Sequence, residues 1–279
     1  MSESDRIYLQ LRSLATSLGR PFQDVLLMYG IERSLVRLSN SIHKDHFVLK
    51  GGMLLYLLYE GNYERSTTDI DLLHINDFVD NIKLTDIFKE IFQLPVADDG
   101  IVFDLSSLKI ETKEAIRGIK TSKINVVASL NSAKLYLTFD VSYDDMVVPM
   151  LHQRGMKILL GDSRIQLLTY SVESLIAEKL HVIVSFGTAN TRVKDYYDIY
   201  KLHMSKAFDA KHLNDAINET FLHRNTKLLS NEELRNIMRS DDLRRMWDAF
   251  IKAKTQERDL EFFLVSQTVL SLIPSNWVD

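Results

Sequence analysis

Two aspartates separated by one residue are the feature of this sequence that most clearly suggests chemistry. Asp69-Ile70-Asp71 lies in a short run of branched residues, Asp69–Ile75, which predicts a β-strand. Side chains alternate along a strand, so both carboxylates face one side while Ile70 and Leu72 face a core. Two carboxylates this close repel each other unless a cation lies between them, and Mg²⁺ or Mn²⁺ prefers such oxygen ligands. An exposed edge strand with chance acids is the alternative, because D-x-D is a common motif.

Lys50, Gly51 and Gly52 stand immediately before a predicted helix over Met53–Glu60. Glycine lets the backbone approach a ligand closely, and the first turn of a helix presents N–H groups that have no partner inside the helix. The three residues together therefore suggest a phosphate-binding loop. A simple turn is the alternative. The predicted helix returns through a short loop to the strand of the two aspartates, so a phosphate at the glycines would lie beside a metal.

A third carboxylate is predicted on the strand Leu135–Tyr143. Apolar residues alternate there with polar ones, so Tyr136, Thr138 and Asp140 share a face that meets either water or a cleft. Asp140 is expected across the sheet from the two aspartates of the earlier strand, where it would bind the metal or accept a proton from an attacking hydroxyl. An exposed strand face is the alternative.

Lys179 is a charged residue on a helical stripe that is otherwise apolar and includes Val172 and Ile176. An unpaired charge directed into a core is costly, so this lysine needs an anionic partner. A triphosphate is one candidate partner. The other is a structural ion pair with Asp195 or Asp198, which are three residues apart and share a helix face.

The remaining pattern predicts the elements that position these residues. Apolar residues at helical spacing, with Gly and Pro near the ends, predict further helices over 5–18, 22–42, 77–93, 172–186, 192–204, 209–222, 231–253 and 258–273. Gly30 marks a candidate break in the second of these helices. Branched or alternating runs predict strands over 101–110 and 124–130, a hairpin turn at Asn131–Ser132, and a short strand at Ile158–Leu160.

The order of these elements predicts an α/β (α+β) fold. Residues 1–165 are expected to form a mixed-sheet core flanked by helices, and residues 166–279 a helical bundle domain.

Composition excludes several classes of function. The chain of 279 residues is 46% hydrophobic and 26% charged and has no cysteine, which excludes a disordered chain, thiol catalysis and thiolate metal sites. The formal charge is −4, but residues 192–258 hold 14 Lys and Arg against 11 Asp and Glu. A local basic surface is one interpretation of that stretch, and solvated helix faces are the other. No signal or membrane-spanning segment is visible, so we expect a cytoplasmic protein.

In this order, the motifs resemble those of a known family, the AbiEii/AbiGii toxin nucleotidyltransferases. The first family motif is similar to Phe47–Gly52 followed by Arg65-x-Thr67-x-Asp69-Ile70-Asp71-Leu72. Two later motifs are similar to Ile176-x-Glu178-Lys179-Leu180 and Arg192-x-Lys194-Asp195-x-x-Asp198, and Glu32–Ser39 is similar to an upstream segment of the family. The resemblance extends over about residues 25–205, and the ordered set is far more specific than any single motif.

The resemblance implies a polymerase-β-like minimal nucleotidyltransferase core with a helical C-terminal part. It implies Mg²⁺-assisted transfer of a nucleoside monophosphate from an NTP by the toxin of a toxin–antitoxin, or abortive infection, system. Related toxins act on tRNA ends and are paired with an antitoxin. By motif, Asp69 and Asp71 would hold the metal and Lys179 would contact the triphosphate, while Asp195 and Asp198 would complete the catalytic site. The implied nucleotide-binding residues are Lys50, Gly51, Gly52, Arg65 and Thr67, although the family often has Gly-Ser where this chain has two glycines.

We therefore expect a metal-dependent nucleotidyltransferase whose acceptor is a tRNA 3′ end. A non-catalytic module that binds a nucleotide or a partner on the same fold is an alternative, and so is transfer to a protein or a small molecule. With RNA as the acceptor, the basic residues of the predicted helix 231–253 should contact its phosphates, namely Arg235, Arg239, Arg244 and Arg245.

Overall fold

The computed structural model describes residues 2–63, 67–75, 78–96, 99–114, 120–187, 192–226, 229–255 and 257–274. The chain divides into two compact units. The first unit comprises Met1–Asp145 and His152–Thr169, and the second comprises Met146–Leu151 and Tyr170–Asp279. The sequence analysis placed a single boundary, after residue 165, whereas the chain enters the second unit at Met146, leaves it at Leu151 and returns at Tyr170.

The first unit is built on a seven-stranded mixed sheet in the order β3-β4-β5-β2-β1-β7-β6. Its strands are β1 (Phe47–Lys50), β2 (Asp69–His74), β3 (Ile101–Glu114), β4 (Lys120–Leu130), β5 (Ala133–Ser142), β6 (His152–Lys157) and β7 (Arg164–Thr169). The pairs β2–β5 and β1–β7 are parallel, and the other neighbours are antiparallel. The predicted hairpin between β4 and β5 is confirmed, and Asn131 adopts the positive φ that its turn requires.

Four helices belong to the first unit: α1 (Glu3–Leu18), α2 (Phe22–Asn40), α3 (Gly51–Leu58) and α4 (Asn81–Gln93). The predicted helix 77–93 begins later than expected, because the Asp80 side chain caps α4 by accepting the N–H groups of Ile82 and Lys83. Gly30 does not break α2. A Cβ at Gly30 would lie 2.9 Å from Cδ1 of Leu135 on β5, so this glycine allows the helix to pack closely on the sheet.

The second unit is helical. It contains α5 (Val172–Phe186), α6 (Val193–Ser205), α7 (Ala210–His223), α8 (Asn231–Met238), α9 (Asp241–Lys254) and α10 (Phe262–Ser271). The single helix predicted over 231–253 is wrong, because the chain starts a new helix after Ser240. Asp241 and Asp242 occupy the first turn of α9, where carboxylates interact favourably with the helix dipole. Trp247 of α9 is fully buried and anchors the core of this unit.

The strand predicted at Ile158–Leu160 is also wrong. These residues lie in the turn between β6 and β7, which is closed by a hydrogen bond from the Ile158 N–H to the Ser163 carbonyl. The mixed sheet flanked by helices and followed by a helical bundle confirms the predicted fold class. None of the helices in the described part of the chain has the length and apolar character needed to cross a membrane.

Candidate active site

The two aspartates of β2 share one face of the sheet, as their alternation predicted. Asp69 and Asp71 are half-buried on the open side, whereas Ile70 and Leu72 are buried in the core on the other side. The hydroxyl of Thr68 donates to Oδ1 of Asp69 at 3.1 Å, which helps to fix that carboxylate. The central strand thus carries two carboxylates on a surface that a ligand can reach.

Asp140 joins them from the neighbouring strand. β2 and β5 are parallel neighbours, and their register places Asp71 directly opposite Asp140. Carboxylate oxygens of Asp69, Asp71 and Asp140 all lie within 4.8 Å of one another, and we call these three residues the carboxylate triad. The juxtaposition expected from strand alternation is therefore confirmed.

The electrostatics of the triad are those of crowded like charges. Partial burial raises the pKa of Asp140, and the charges of Asp71 and Asp69 raise it further, while Lys123 and Lys113 lower it. The Lys123 ammonium lies 3.8 Å from Oδ1 of Asp140. Three carboxylates that repel one another and provide hard oxygen donors at this spacing form a ligand set that fits Mg²⁺ or Mn²⁺.

Gly51 is fitted against the triad. Its φ is +61°, which favours glycine, and a Cβ at this position would overlap Oδ2 of Asp71 and lie 2.5 Å from Cγ. Gly51 is also the first residue of α3, so the helix begins directly beside this carboxylate. The motif therefore needs glycine here for both its backbone conformation and the close approach of Asp71.

Lys50 has a partner that the sequence analysis did not identify. Its Nζ lies 2.6 Å from Oδ2 of Asp145, whose carboxylate also accepts the Ser142 hydroxyl. Both members of this ion pair are mostly buried. The signal in the sequence was an acidic pair, Asp144–Asp145, just beyond the end of β5, but no periodicity connected it to a lysine far away in the chain.

The other residues of the predicted nucleotide-binding set have different surroundings. Gly52 and Thr67 are buried in the first unit, Gly52 in the first turn of α3 and Thr67 just before β2. Arg65 lies outside the described residues. Gly51 packs directly against Asp71 of the carboxylate triad, and Lys50 is the cross-strand partner of the same aspartate in the β1–β2 pair.

The second unit contains a charged cluster, in which Lys179 of α5 meets two aspartates of α6. Its Nζ donates to Oδ1 of Asp195 at 2.9 Å and to Oδ2 of Asp198 at 2.7 Å. All three side chains are buried, with 9%, 0% and 0% exposed, and we call them the buried ion-pair network. The guanidinium of Arg192 lies 2.9 Å from the other oxygen of Asp195 and is half-exposed.

Each unit thus holds one cluster of the sequence-predicted site residues. The carboxylate triad is on the sheet, and the buried ion-pair network joins α5 to α6. Of the two partners considered for Lys179, the structure supplies the pair of aspartates.

A mixed sheet that presents three carboxylates on its open face beside a glycine-led helix defines the nucleotidyltransferase class. Two solved structures from Helicobacter pylori have this fold: a candidate nucleotidyltransferase and the protein JHP933. Each has a TM-score of 0.51 and 16% sequence identity; the alignment covers 90% of this chain in both cases, and 92% and 90% of the other chain respectively. No curated protein matches the sequence.

The family is identified by sequence. The chain belongs to the nucleotidyl transferase AbiEii toxins of type IV toxin–antitoxin systems, whose family model matches residues 33–266. That match covers both the carboxylate triad and the buried ion-pair network, and it confirms the family resemblance of the motifs.

Proposed function

We propose that the protein transfers a nucleoside monophosphate from an NTP to the hydroxyl at a tRNA 3′ end, with a divalent cation held by Asp69, Asp71 and Asp140. The observation that carries this proposal is the carboxylate triad, whose oxygens lie within 4.8 Å of one another on an accessible face of the sheet. A bound Mg²⁺ or Mn²⁺ would polarise the α-phosphate and offset the charge of the leaving pyrophosphate.

The acceptor oxygen attacks the α-phosphorus, forms a new P–O bond and displaces pyrophosphate, while its proton passes to a carboxylate of the site. The proposed nucleotide-binding residues are Lys50, Gly51, Gly52, Arg65 and Thr67. The start of α3 at Gly51 supports this assignment, because N–H groups at a helix start can bind a phosphate close to the carboxylates.

For Lys179, Asp195 and Asp198 we propose a role in holding the second unit in its active form. Their mutual hydrogen bonds and deep burial support this role. The two aspartates accept two of the three N–H donors of the Lys179 ammonium.

The charge of the sheet near the triad supports a polyanionic acceptor. On the same open face, β3, β4 and β5 carry four exposed lysines, Lys109, Lys113, Lys123 and Lys134. Tyr136 lies among them with 71% of its surface exposed. Outside the triad, this face holds two opposing carboxylates, Asp104 and Glu111. Lysines and an aromatic ring together suit the phosphates and bases of RNA.

A labelling experiment tests the reaction. The full-length protein is incubated with each α-labelled NTP, Mg²⁺ or Mn²⁺ and total RNA, and we expect label at the 3′ end of tRNA. Label in protein or in a small molecule would contradict the RNA acceptor. No label with any acceptor would favour a non-catalytic binding module.

Conservative variants test the triad. Asp69→Asn or Asp71→Asn should reduce transfer at least about 100-fold, because even indirect partners of a metal ligand contribute about 10–100-fold. Asp86→Asn, an identical change at an exposed position of α4, is the matched control and should leave transfer unchanged. Unchanged activity in Asp69→Asn or Asp71→Asn, with folding intact, would refute the metal assignment.

The family description names a type IV toxin–antitoxin system, and we propose that the protein acts as its toxin in the cytoplasm, with a cognate antitoxin. Toxicity on expression should depend on the triad. An Asp71→Asn variant that remained as toxic as the natural protein would contradict this proposal.

A further inference from the structure

Three arginines of the second unit line one pocket. Arg235 belongs to α8, Arg239 follows its last turn, and Arg244 belongs to α9. The pocket has a volume of about 270 Å³. Its other wall is formed by α10, with the lining residues Phe262, Phe263, Ser266, Gln267 and Leu270, and Met238 completes it from α8. We call it the arginine pocket.

The arginine pocket has no acidic residue in its lining among the described residues of the second unit. Among the residues that the structure describes, Arg235, Arg239 and Arg244 form no side-chain hydrogen bond or ion pair. All three side chains are exposed, so they are accessible to an anion, and an anion with several oxygens can accept bidentate hydrogen bonds from arginines.

The fourth arginine of the basic stretch behaves differently. Arg245 is adjacent to Arg244 but forms an ion pair with Asp242 one turn earlier on the exposed side of α9. The sequence analysis treated the four arginines as one group. The structure separates three that line one pocket from one that has its own carboxylate partner.

The size and the rim of the pocket indicate part of a polymer. Its volume is below the ~300–1,000 Å³ of pockets that enclose a whole small ligand. It is large enough for a phosphate and an adjoining sugar. Phe263 stands at the rim with 68% of its surface exposed, in a position where a base could stack on it, and the Gln267 amide is exposed beside it.

We propose that the arginine pocket binds one backbone phosphate of single-stranded RNA, with the neighbouring base stacked on Phe263. This inference rests on the proposed function in so far as it assigns the RNA acceptor a second point of attachment. RNA binding requires neither NTP nor metal, so the two proposals can be tested separately.

The test measures binding of a fluorescent single-stranded RNA to the full-length protein by anisotropy over a range of salt concentrations. The triple variant Arg235→Gln, Arg239→Gln, Arg244→Gln should bind about tenfold more weakly or worse, as expected for lost charge-assisted hydrogen bonds. Because the three arginines hold one phosphate, the slope of log K against log salt should fall by about 0.7, the value for one single-strand contact. A fall of the slope by about 2 would mean that the three arginines contact three separate phosphates, and it would overturn the proposal that they share one.

Arg245→Gln is the matched control, since it removes one positive charge next to Arg244 but outside the pocket. It should change binding much less than Arg244→Gln. Equal losses in these two variants would show a general charge effect and would overturn the proposal. Phe263→Ala should weaken RNA binding about fivefold or more through lost stacking, without a change in the salt slope.

Inorganic phosphate and pyrophosphate distinguish a free anion from RNA. RNA binding that depends on the three arginines and is not displaced by millimolar phosphate or pyrophosphate supports the polymer. Arginine-dependent binding of either anion, without arginine-dependent binding of RNA, would assign the pocket to a free anion and overturn the RNA assignment. RNA binding is measured without NTP or metal, so loss of nucleotidyl transfer alone leaves this inference standing, and loss of pocket binding alone leaves the proposed reaction standing.

Discussion

Replacement of Lys179 by methionine removes the cation that two buried carboxylates share. The lysine donates to Asp195 at 2.9 Å and to Asp198 at 2.7 Å, and both aspartate side chains are fully buried. Methionine preserves most of the packing volume on the apolar stripe of α5. Breaking a buried ion pair by removal of one partner costs about 3–5 kcal/mol, and we expect the free energy of unfolding of the second unit to fall by this amount.

The assay is equilibrium denaturation followed by the fluorescence of the buried Trp247, with the second tryptophan, Trp277, replaced by phenylalanine in every variant.

A compensated variant provides the control. Lys179→Met combined with Asp195→Asn and Asp198→Asn removes all three charges, and it should recover much of the stability because no uncompensated charge stays buried. A loss below about 1 kcal/mol in Lys179→Met would refute the reasoning. A loss of NTP affinity with stability retained would instead show that Lys179 binds the triphosphate.

Two further substitutions test how neighbouring residues are fitted together in the first unit. Gly51→Ala should abolish Mn²⁺ binding at the triad, measured by paramagnetic resonance, because its Cβ would overlap the Asp71 carboxylate. Gly19→Ala is the control, since Gly19 has φ +62° and open space around it. It should retain Mn²⁺ binding and lower the stability of the protein only by the ~1–2 kcal/mol of a left-handed conformation. Mn²⁺ binding retained in Gly51→Ala would contradict the fitted packing. Arg37→Met should lower the stability of the first unit, measured by hydrogen exchange, by about 3–5 kcal/mol, because the guanidinium lies 2.5 Å from the buried carboxylate of Asp99. Adding Asp99→Asn to this variant should restore part of the loss. Equal stability of Arg37→Met and the natural protein would show that this ion pair contributes nothing.

The shared face of Asp69 and Asp71 could be predicted from the sequence because its information is local. Alternation along β2 and β5 determines which side chains share a face of each strand, and the long-range parallel pairing of these strands then brings Asp140 to the other two aspartates. The direction of Lys179 could also be predicted, since its helical stripe is apolar. Its partner could not be predicted, because a stripe specifies a direction and not the element that faces it.

The errors have equally specific causes. β6 has the sequence His-Gln-Arg-Gly-Met-Lys and lies at the edge of the sheet, so it shows no alternation that would reveal a strand. The break between α8 and α9 could not be predicted, because apolar residues recur at helical spacing on both sides of it. The pair Lys50–Asp145 joins residues far apart in sequence, and only the sheet brings them together.

The route of the chain between the two units limits how the protein can be dissected. The segment Met146–Leu151 precedes β6 in sequence but belongs to the second unit. The hydroxyls of Ser171 and Ser174, at the start of α5, both donate to the Val148 carbonyl of this segment. A truncation at any single point between β7 and α5 leaves that segment on the N-terminal fragment and removes it from the start of α5. Neither unit therefore corresponds to one contiguous stretch of coding sequence, and gene fusions or deletions that exchange one unit as a block would have to carry three junctions.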